Sequence, residues 1–458
     1  MKNLTEGNSG KLIFRFAIPM LIGNVFQQVY NIVDSIVVGR YVGKEALAAV
    51  GASFPLIFML ISFVVGVAMG TTIIISQYFG ARDIKMVKRS IDTMYIFLFV
   101  ASLVVTFFGI SLSGPIFRLI KLPEDVMPQA IVYFNIYLSG FIFFFGFNGI
   151  SSVLRGLGDS KTPLYFLIIS TVMNVVLDLL FVALFKWGVG GAAWATVISQ
   201  AGAFTTGVIY LNRTHEVVKL NSIKLVFDRA IFRKSLMIGL PTGLQQTFVS
   251  LGMRAVVRIV NDFGTDVIAA YSAAGRLDSL AGMPAMNFGA ALSTFVGQNL
   301  GANKPERVKQ GLHATFMMSG ALALLTSLGV IIFRHPLMGL FTSDPAVIDI
   351  GANYLVIVSS FYLFFSTMFV IGGVMRGAGD TLIPMFITLF SLWIIRIPAA
   401  WILSRYFGVS GIWWSIPVAW FIGMVLSYMY YLKGNWKKKV VVRHKVTEQE
   451  EILLDEIV

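Results

Sequence analysis

Twelve apolar stretches of about 20 to 30 residues fix the fold class before any motif is considered. They run roughly over 13–38, 46–77, 90–113, 127–154, 163–185, 190–211, 235–261, 267–299, 310–333, 347–375, 382–404 and 410–432. About 20 apolar residues in helix cross a hydrocarbon core of about 30 Å. The expectation is an all-α polytopic membrane protein with 12 transmembrane helices. Several stretches exceed the minimum span, which implies tilt or extension beyond the bilayer. Charged residues make up only 13% of the chain and hydrophobic ones 57%, against about 25% charged in soluble domains.

The net charge of +13 would suit a nucleic-acid binder, but its distribution argues for topology instead. With the N-terminus inside, 25 of the 36 Lys and Arg fall in cytoplasmic segments, seven fall outside and four lie within spans. That bias places both termini in the cytoplasm of a multi-pass protein of the cell (plasma) membrane and accounts for the basic pI without nucleic acid. The first span starts too late and runs too long for a signal-peptide core, so it is expected to be retained. Cysteine is absent, which rules out disulfides and thiolate metal sites. The charge-segregated end of the chain is expected to be partly disordered or a short amphipathic helix.

The chain is duplicated. RGLGDSKTP at 155–163 matches RGAGDTLIP at 376–384, an offset of 221. Gly43, Ala48, Ala49, Gln77 and Gly80 match Gly264, Ala269, Ala270, Gln298 and Gly301 at the same offset, and Gly188, Gly191 and Trp194 match Gly408, Gly411 and Trp414 at 220. Six spans per copy put both copies in the membrane the same way round, as two pseudo-symmetric six-helix bundles, a transporter architecture. The domains read as an N-terminal lobe over 1–218 carrying a cation site, a C-terminal lobe over 219–432 and a cytoplasmic tail over 433–458, with 212–234 as linker. In the duplicated Arg-Gly-x-Gly-Asp segments the glycines should make a tight turn, and Arg155 or Arg376 should cap helix ends or pair with Asp159 or Asp380.

A charge inside a bilayer is costly and therefore a functional candidate. At 1.5 Å per helical residue, Asp34 on the first span lies roughly 8 Å below the outer surface, Asp178 on the fifth about 12 Å and Thr196 on the sixth about 9 Å. Asn174 stands one turn from Asp178 on the same face. Gln27, Asn31 and Asp34 form one polar stripe expected to face the lobe interior, since amides in hydrocarbon need partners. Two facing carboxylates cannot both stay charged cheaply: one binds a proton, or a cation sits between them. With an amide and a hydroxyl added, the oxygens of Asp34, Asn174, Asp178 and Thr196 also suit sodium. The second copy repeats neither acid. It carries Arg254 and Arg258 on the seventh span, Arg276 and Asp278 on the eighth and Arg396 on the eleventh. These arginines either snorkel and pair with Asp262 and Asp278 or contact an anionic part of a substrate.

YNIVDSIVVGRYVG, ISQYFGARD, LRGLGDSKTP and MNVVLDLLFV together resemble the multidrug and toxic compound extrusion (MATE) family over residues 10–432, especially its DinF-like and archaeal branch. The resemblance implies two six-helix bundles around a central cavity and export of drugs or organic metabolites against sodium or proton entry. It places a cation site in the N-terminal lobe on Asp34, Asn174, Asp178 and Thr196, with Tyr133 as the fourth-span tyrosine and Asn148 as a looser match. The substrate cavity would then include Gln27, Asn31, Asn148, Arg254, Arg258 and Arg396. Another branch keeps acids in the C-terminal lobe, and its seventh-span acid position falls near Val249 here. The chain is accordingly expected to be a cation-coupled antiporter, not an enzyme, working as a monomer without a cofactor on a small organic substrate. The competing readings are a lipid or oligosaccharide flippase of the same superfamily and an ion channel. Twelve spans weigh against the first, and polar groups confined to one depth weigh against the second. The four histidines (His215, His313, His335 and His444) have no metal-ligand spacing.

Overall fold

The computed structural model describes residues 2–214, 219 and 225–442. Most of the expected tail (443–458) and part of the expected linker (215–218 and 220–224) lie outside these residues, as do His215 and His444. The described chain is helical, in the order α1 (Ser9–Tyr41), α2 (Lys44–Gly80), α3 (Ile84–Leu119), α4 (Met127–Ser139), α5 (Phe141–Gly156), α6 (Lys161–Asp178), α7 (Gly188–Thr214), α8 (Arg229–Asn261), α9 (Thr265–Gly301), α10 (Pro305–Ile332), α11 (Arg334–Gly339), α12 (Pro345–Ser359), α13 (Tyr362–Ala378), α14 (Leu382–Leu389), α15 (Ile397–Phe407) and α16 (Val409–Leu432). Each apolar stretch falls on one helix or on one broken helix. By length and apolarity seven helices qualify as spans, and two bent pairs raise the number to nine. The other three, α7, α8 and α9, are long enough but less apolar; α8 and α9 carry Arg254, Arg258, Arg276 and Asp278 within them.

Two spans that read as continuous are broken. α4 and α5 meet at 49°, and α12 and α13 at 48°, with no proline at either break. Gly140 sits at the first break, where a Cβ would come within 2.5 Å of the Val197 side chain, so glycine is needed for α7 to approach. Two further spans carry a π-helical turn, Leu179–Leu184 after α6 and Phe390–Arg396 between α14 and α15. Such widened turns are rare and concentrate at functional sites.

The helices form two compact units. Lys2, Ile18–Phe79 and Asp83–Gly243 make one; Asn3–Ala17, Gly80–Arg82 and the described residues from Leu244 onward make the other. α1 and α8 therefore each contribute one stretch to either unit. In the first unit, α2 and α8 cross on two glycine pairs. A Cβ on Gly66 would meet Gly239 O at 2.8 Å, and one on Gly70 would meet Ser235 O at 2.5 Å. Small residues four apart allow two backbones this close in lipid, where packing replaces the hydrophobic effect as the main attraction. α7 packs against α4, α5 and α6. In the second unit α9 packs against α10, α12 and α13, and Trp413 of α16 is fully buried, stacked on Tyr271 at 5.6 Å. The residues before α1 are tied down there: Leu4 N donates to Gln298 Oε1 at 2.9 Å and Lys304 Nζ to Thr5 O at 3.1 Å.

The backbone carries the duplication as clearly as the sequence. Four pairs of left-handed residues recur at the repeat offset: Gly43 with Gly264, Arg82 with Asn303 and Gly158 with Gly379 at 221, and Gly188 with Gly408 at 220. Packing repeats too. Gly156 lies on Thr72 and Ile75 of α2, and Gly377, 221 further on, lies on Ser293 and Val296 of α9. The Arg-Gly-x-Gly-Asp segments turn at Gly158 and Gly379. Their arginines cap carbonyls: Arg155 Nε donates to Ser151 O at 3.2 Å and Arg376 Nη2 to Phe369 O at 3.4 Å. The aspartates are engaged elsewhere. Asp159 Oδ1 caps α6 through Lys161 N and Thr162 N, and Asp380 accepts from Tyr430 OH at 2.6 Å.

Candidate functional site

Asp178 is the last residue of α6, directly before the π turn, with Asn174 one turn earlier on the same face. Both are fully shielded from solvent. Asp34 of α1 is 8% exposed, Thr196 of α7 3% and Tyr133 of α4 5%. Asp34 is close enough to act electrostatically on Asp178 and on the hydroxyls of Tyr30, Tyr133 and Tyr137. α1, α4, α6 and α7 thus bring two carboxylates, an amide, three phenols and a hydroxyl into one buried neighbourhood of the first unit.

Hydrogen bonding divides this group in two. Thr196 Oγ1 donates to Ala192 O at 3.1 Å, so its single proton is used. It then accepts from Tyr30 OH, also at 3.1 Å, which ties α1 to α7 one turn from Asp34. In contrast, Asp34 Oδ1, both side-chain polar atoms of Asn174 and both carboxylate oxygens of Asp178 are buried with no hydrogen-bond partner among the described residues. The ion pairs among these residues (Lys44–Glu45, Arg82–Glu6, Arg89–Asp228 and His335–Asp349) include neither acid. Each orphaned polar atom costs about 1–3 kcal/mol, and native structures satisfy nearly all of theirs. Five such atoms fall in this one neighbourhood. Two carboxylates with amide and hydroxyl oxygens are a hard-cation donor set, and among the described residues no three His, Cys, Asp or Glu gather as a transition-metal site would require.

The remaining stripe residues are more open. Asn31 is half-buried and Gln27 exposed, so of Gln27, Asn31 and Asp34 the acid alone is buried. Asn148 is half-buried and donates its Nδ2 to Phe144 O at 2.8 Å. In the second unit Arg254 and Arg258 are exposed, while Arg396, which ends the second π turn, is 6% exposed. Its Nη1 reaches only the Met253 sulfur at 3.2 Å, and its Nε is buried without an acceptor. Asp278 lies within electrostatic reach of Arg396 and accepts from Tyr354 OH at 3.3 Å.

Sequence reasoning passed over Tyr30, Tyr137 and Tyr354. Tyr30 stands four residues before Asp34, a helical neighbour, and Tyr137 four after Tyr133. Tyr354 lies 221 residues after Tyr133, so the repeat itself pointed to it. Both repeat-related tyrosines stand near an acid of their own unit, buried Asp34 for Tyr133 and half-buried Asp278 for Tyr354.

A family model described as MatE matches residues 19–180 and 241–402, two equal stretches on the two copies of the repeat. The chain is 34% identical to the probable multidrug resistance protein YpnP of Bacillus subtilis, covering 95% of this chain and 97% of that one. It is 23% identical to a FAD transporter of Shewanella oneidensis, covering 89% and 91%. Among solved structures it superposes on an outward-facing multidrug resistance MATE transporter of the MOP superfamily with a TM-score of 0.89, at 23% identity over 96% of this chain and 99% of that one. A MOP superfamily transporter from Pyrococcus furiosus, whose binding pocket is described as reversed in polarity, gives 0.88 at 23% identity over the same shares. At these identities the structural likeness speaks for the fold.

Proposed function

This chain belongs to the MatE family of multi-pass membrane transporters, and we propose that it is a cation-coupled antiporter exporting small organic compounds by alternating access. One observation carries the reading: the five orphaned polar atoms of Asp34, Asn174 and Asp178 in the first unit. Two like charges so placed are relieved only by taking up a proton or a cation. Arrival of the ion removes their repulsion and lets α1, which supplies Asp34, and α6, which supplies Asp178, draw together. Tyr30 and Thr196 carry that movement to α7 through their hydrogen bond. Sodium would be held by Asp34, Asn174, Asp178 and Thr196, with Tyr133 beside them. A substrate favoured by the ion-free arrangement is expelled when the ion binds, because a ligand shifts an equilibrium only by its differential affinity for the two states.

In this reading both termini face the cytoplasm of the cell membrane, one chain suffices, no cofactor is needed, and the lobes over 1–218 and 219–432 are the moving bodies. Gln27, Asn31, Asn148, Arg254, Arg258 and Arg396 line the substrate path. Arg396, buried and in no ion pair among the described residues, favours substrates with an anionic group; the relative named a FAD transporter supports testing such compounds. The test is transport in proteoliposomes under separately imposed sodium and proton gradients. One gradient alone should drive wild-type uptake, and Asp178→Asn should abolish the drive while still inserting and folding. Undiminished ion-driven transport by Asp178→Asn refutes the proposal.

A further inference from the structure

The duplicated arginines do not do the same work. Arg155 spends its Nε on the carbonyl of Ser151, four residues earlier. Its counterpart Arg376 does not bond the carbonyl of Gly372, the repeat equivalent of Ser151, and reaches Phe369 O instead. A Cβ at Gly372 would stand 3.2 Å from Arg376 Nη1, and one at Gly289 3.6 Å from Nη2, so two glycines cradle the guanidinium. Its Nε is shut off from solvent with no acceptor, and Nη2 makes only a long contact to Phe369 O at 3.4 Å. No carboxylate neutralises it: Asp380 is engaged by Tyr430, and the ion pairs among the described residues omit Arg376.

Arg376 lines a cavity of the second unit together with Gln245, Thr388, Ser427 and the apolar Met368 and Phe369. Gln245 Nε2 donates to Thr388 Oγ1 at 2.7 Å, and Thr388 donates onward to Pro384 O at 2.9 Å, which fixes the polar wall. Arg376, Gln245 and Thr388 are half-buried, so the cavity can be reached from the surface. A guanidinium whose Nη1 makes no hydrogen bond, with Nη2 held only by a long one, in a cleft of hydroxyls and amide suits an oxyanion met end-on. The geometry points to a carboxylate- or phosphate-binding site at Arg376, apart from the Asp34–Asp178 group and not needed for its coupling role. Its occupant is either a free anion or the phosphate of an anionic lipid, one chemistry from two sources.

The test uses the full-length protein in nanodiscs of phosphatidylcholine or of phosphatidylcholine with phosphatidylglycerol. Thermal unfolding is followed while acetate or inorganic phosphate replaces chloride at fixed ionic strength. A saturable rise in midpoint in phosphatidylcholine identifies a free anion, and a rise only with phosphatidylglycerol identifies a lipid headgroup; either supports the site. Arg376→Gln should weaken the response at least tenfold, with Arg376→Lys, which keeps the charge but not the fork, in between. If Arg376→Gln does not fold, Gln245→Leu combined with Thr388→Val should weaken it with the arginine intact. No response to either anion or to phosphatidylglycerol, or an equal response in the variants, overturns the site and leaves Arg376 a helix cap.

Discussion

Asp34 and Asp178 hold in one buried neighbourhood two carboxylates that no ion pair among the described residues neutralises. Their arrangement sacrifices stability for function, which predicts an unusual sign for a core substitution. With both acids ionised, at high pH and without sodium, Asp178→Asn should raise the unfolding midpoint by an amount equivalent to about 1–3 kcal/mol. The gain should shrink as pH falls, because protonation relieves the same repulsion in the wild type. Calorimetry or tryptophan fluorescence in detergent at several pH values checks this, and a loss of stability at high pH would mean that Asp178 is structurally paired. Thr196→Val should remove the acceptor of Tyr30 and cost about 1 kcal/mol. It should also weaken the dependence of transport on the driving ion, read as a rise in half-saturating concentration. Arg396→Gln should lower transport of anionic compounds while sparing cationic ones, measured by competition against a single reporter substrate.

Helices carry the second level of control, and much of it was legible. The twelve apolar stretches mark every span, and identities 221 apart mark backbone positions that recur in left-handed conformation, such as Gly43 and Gly264. Those positions are visible because a turn with positive φ restricts residue type. Asp34, Asn174 and Asp178 were visible because lipid makes any acid conspicuous. The breaks at 140 and 360–361 were not, since only the first has a glycine and neither has a proline. The π turns after Asp178 and up to Arg396 contain neither glycine nor proline to mark them. Nor does composition change at 17–18 or 243–244, where α1 and α8 pass from one unit to the other. The close crossing of α2 and α8 supplies a test with an internal control. Gly239→Ala would push a Cβ to 2.5 Å from Gly66 O and should destabilise by about 1–3 kcal/mol. Gly51→Ala on the same α2, with nothing within 4 Å, should be neutral or slightly stabilising, as alanine is the better helix former. Equal effects on the unfolding midpoint would show that the crossing is looser than described.

At the scale of the whole molecule, a duplicated chain has specialised its halves. One copy keeps two buried acids and an amide; the other keeps Arg396 near a lone acid, Asp278, with Tyr133 and Tyr354 at matching places in both. Under the function proposed above, the first arrangement would answer a cation and the second an anionic group. The central claim is that ion arrival at Asp34 and Asp178 drives export, and flux in proteoliposomes measures it most directly. Substrate movement should follow an imposed sodium or proton gradient, reverse when that gradient is reversed, and vanish in Asp34→Asn and Asp178→Asn although both variants reconstitute normally. Gradient-driven flux that persists at the wild-type rate in either variant would contradict the account.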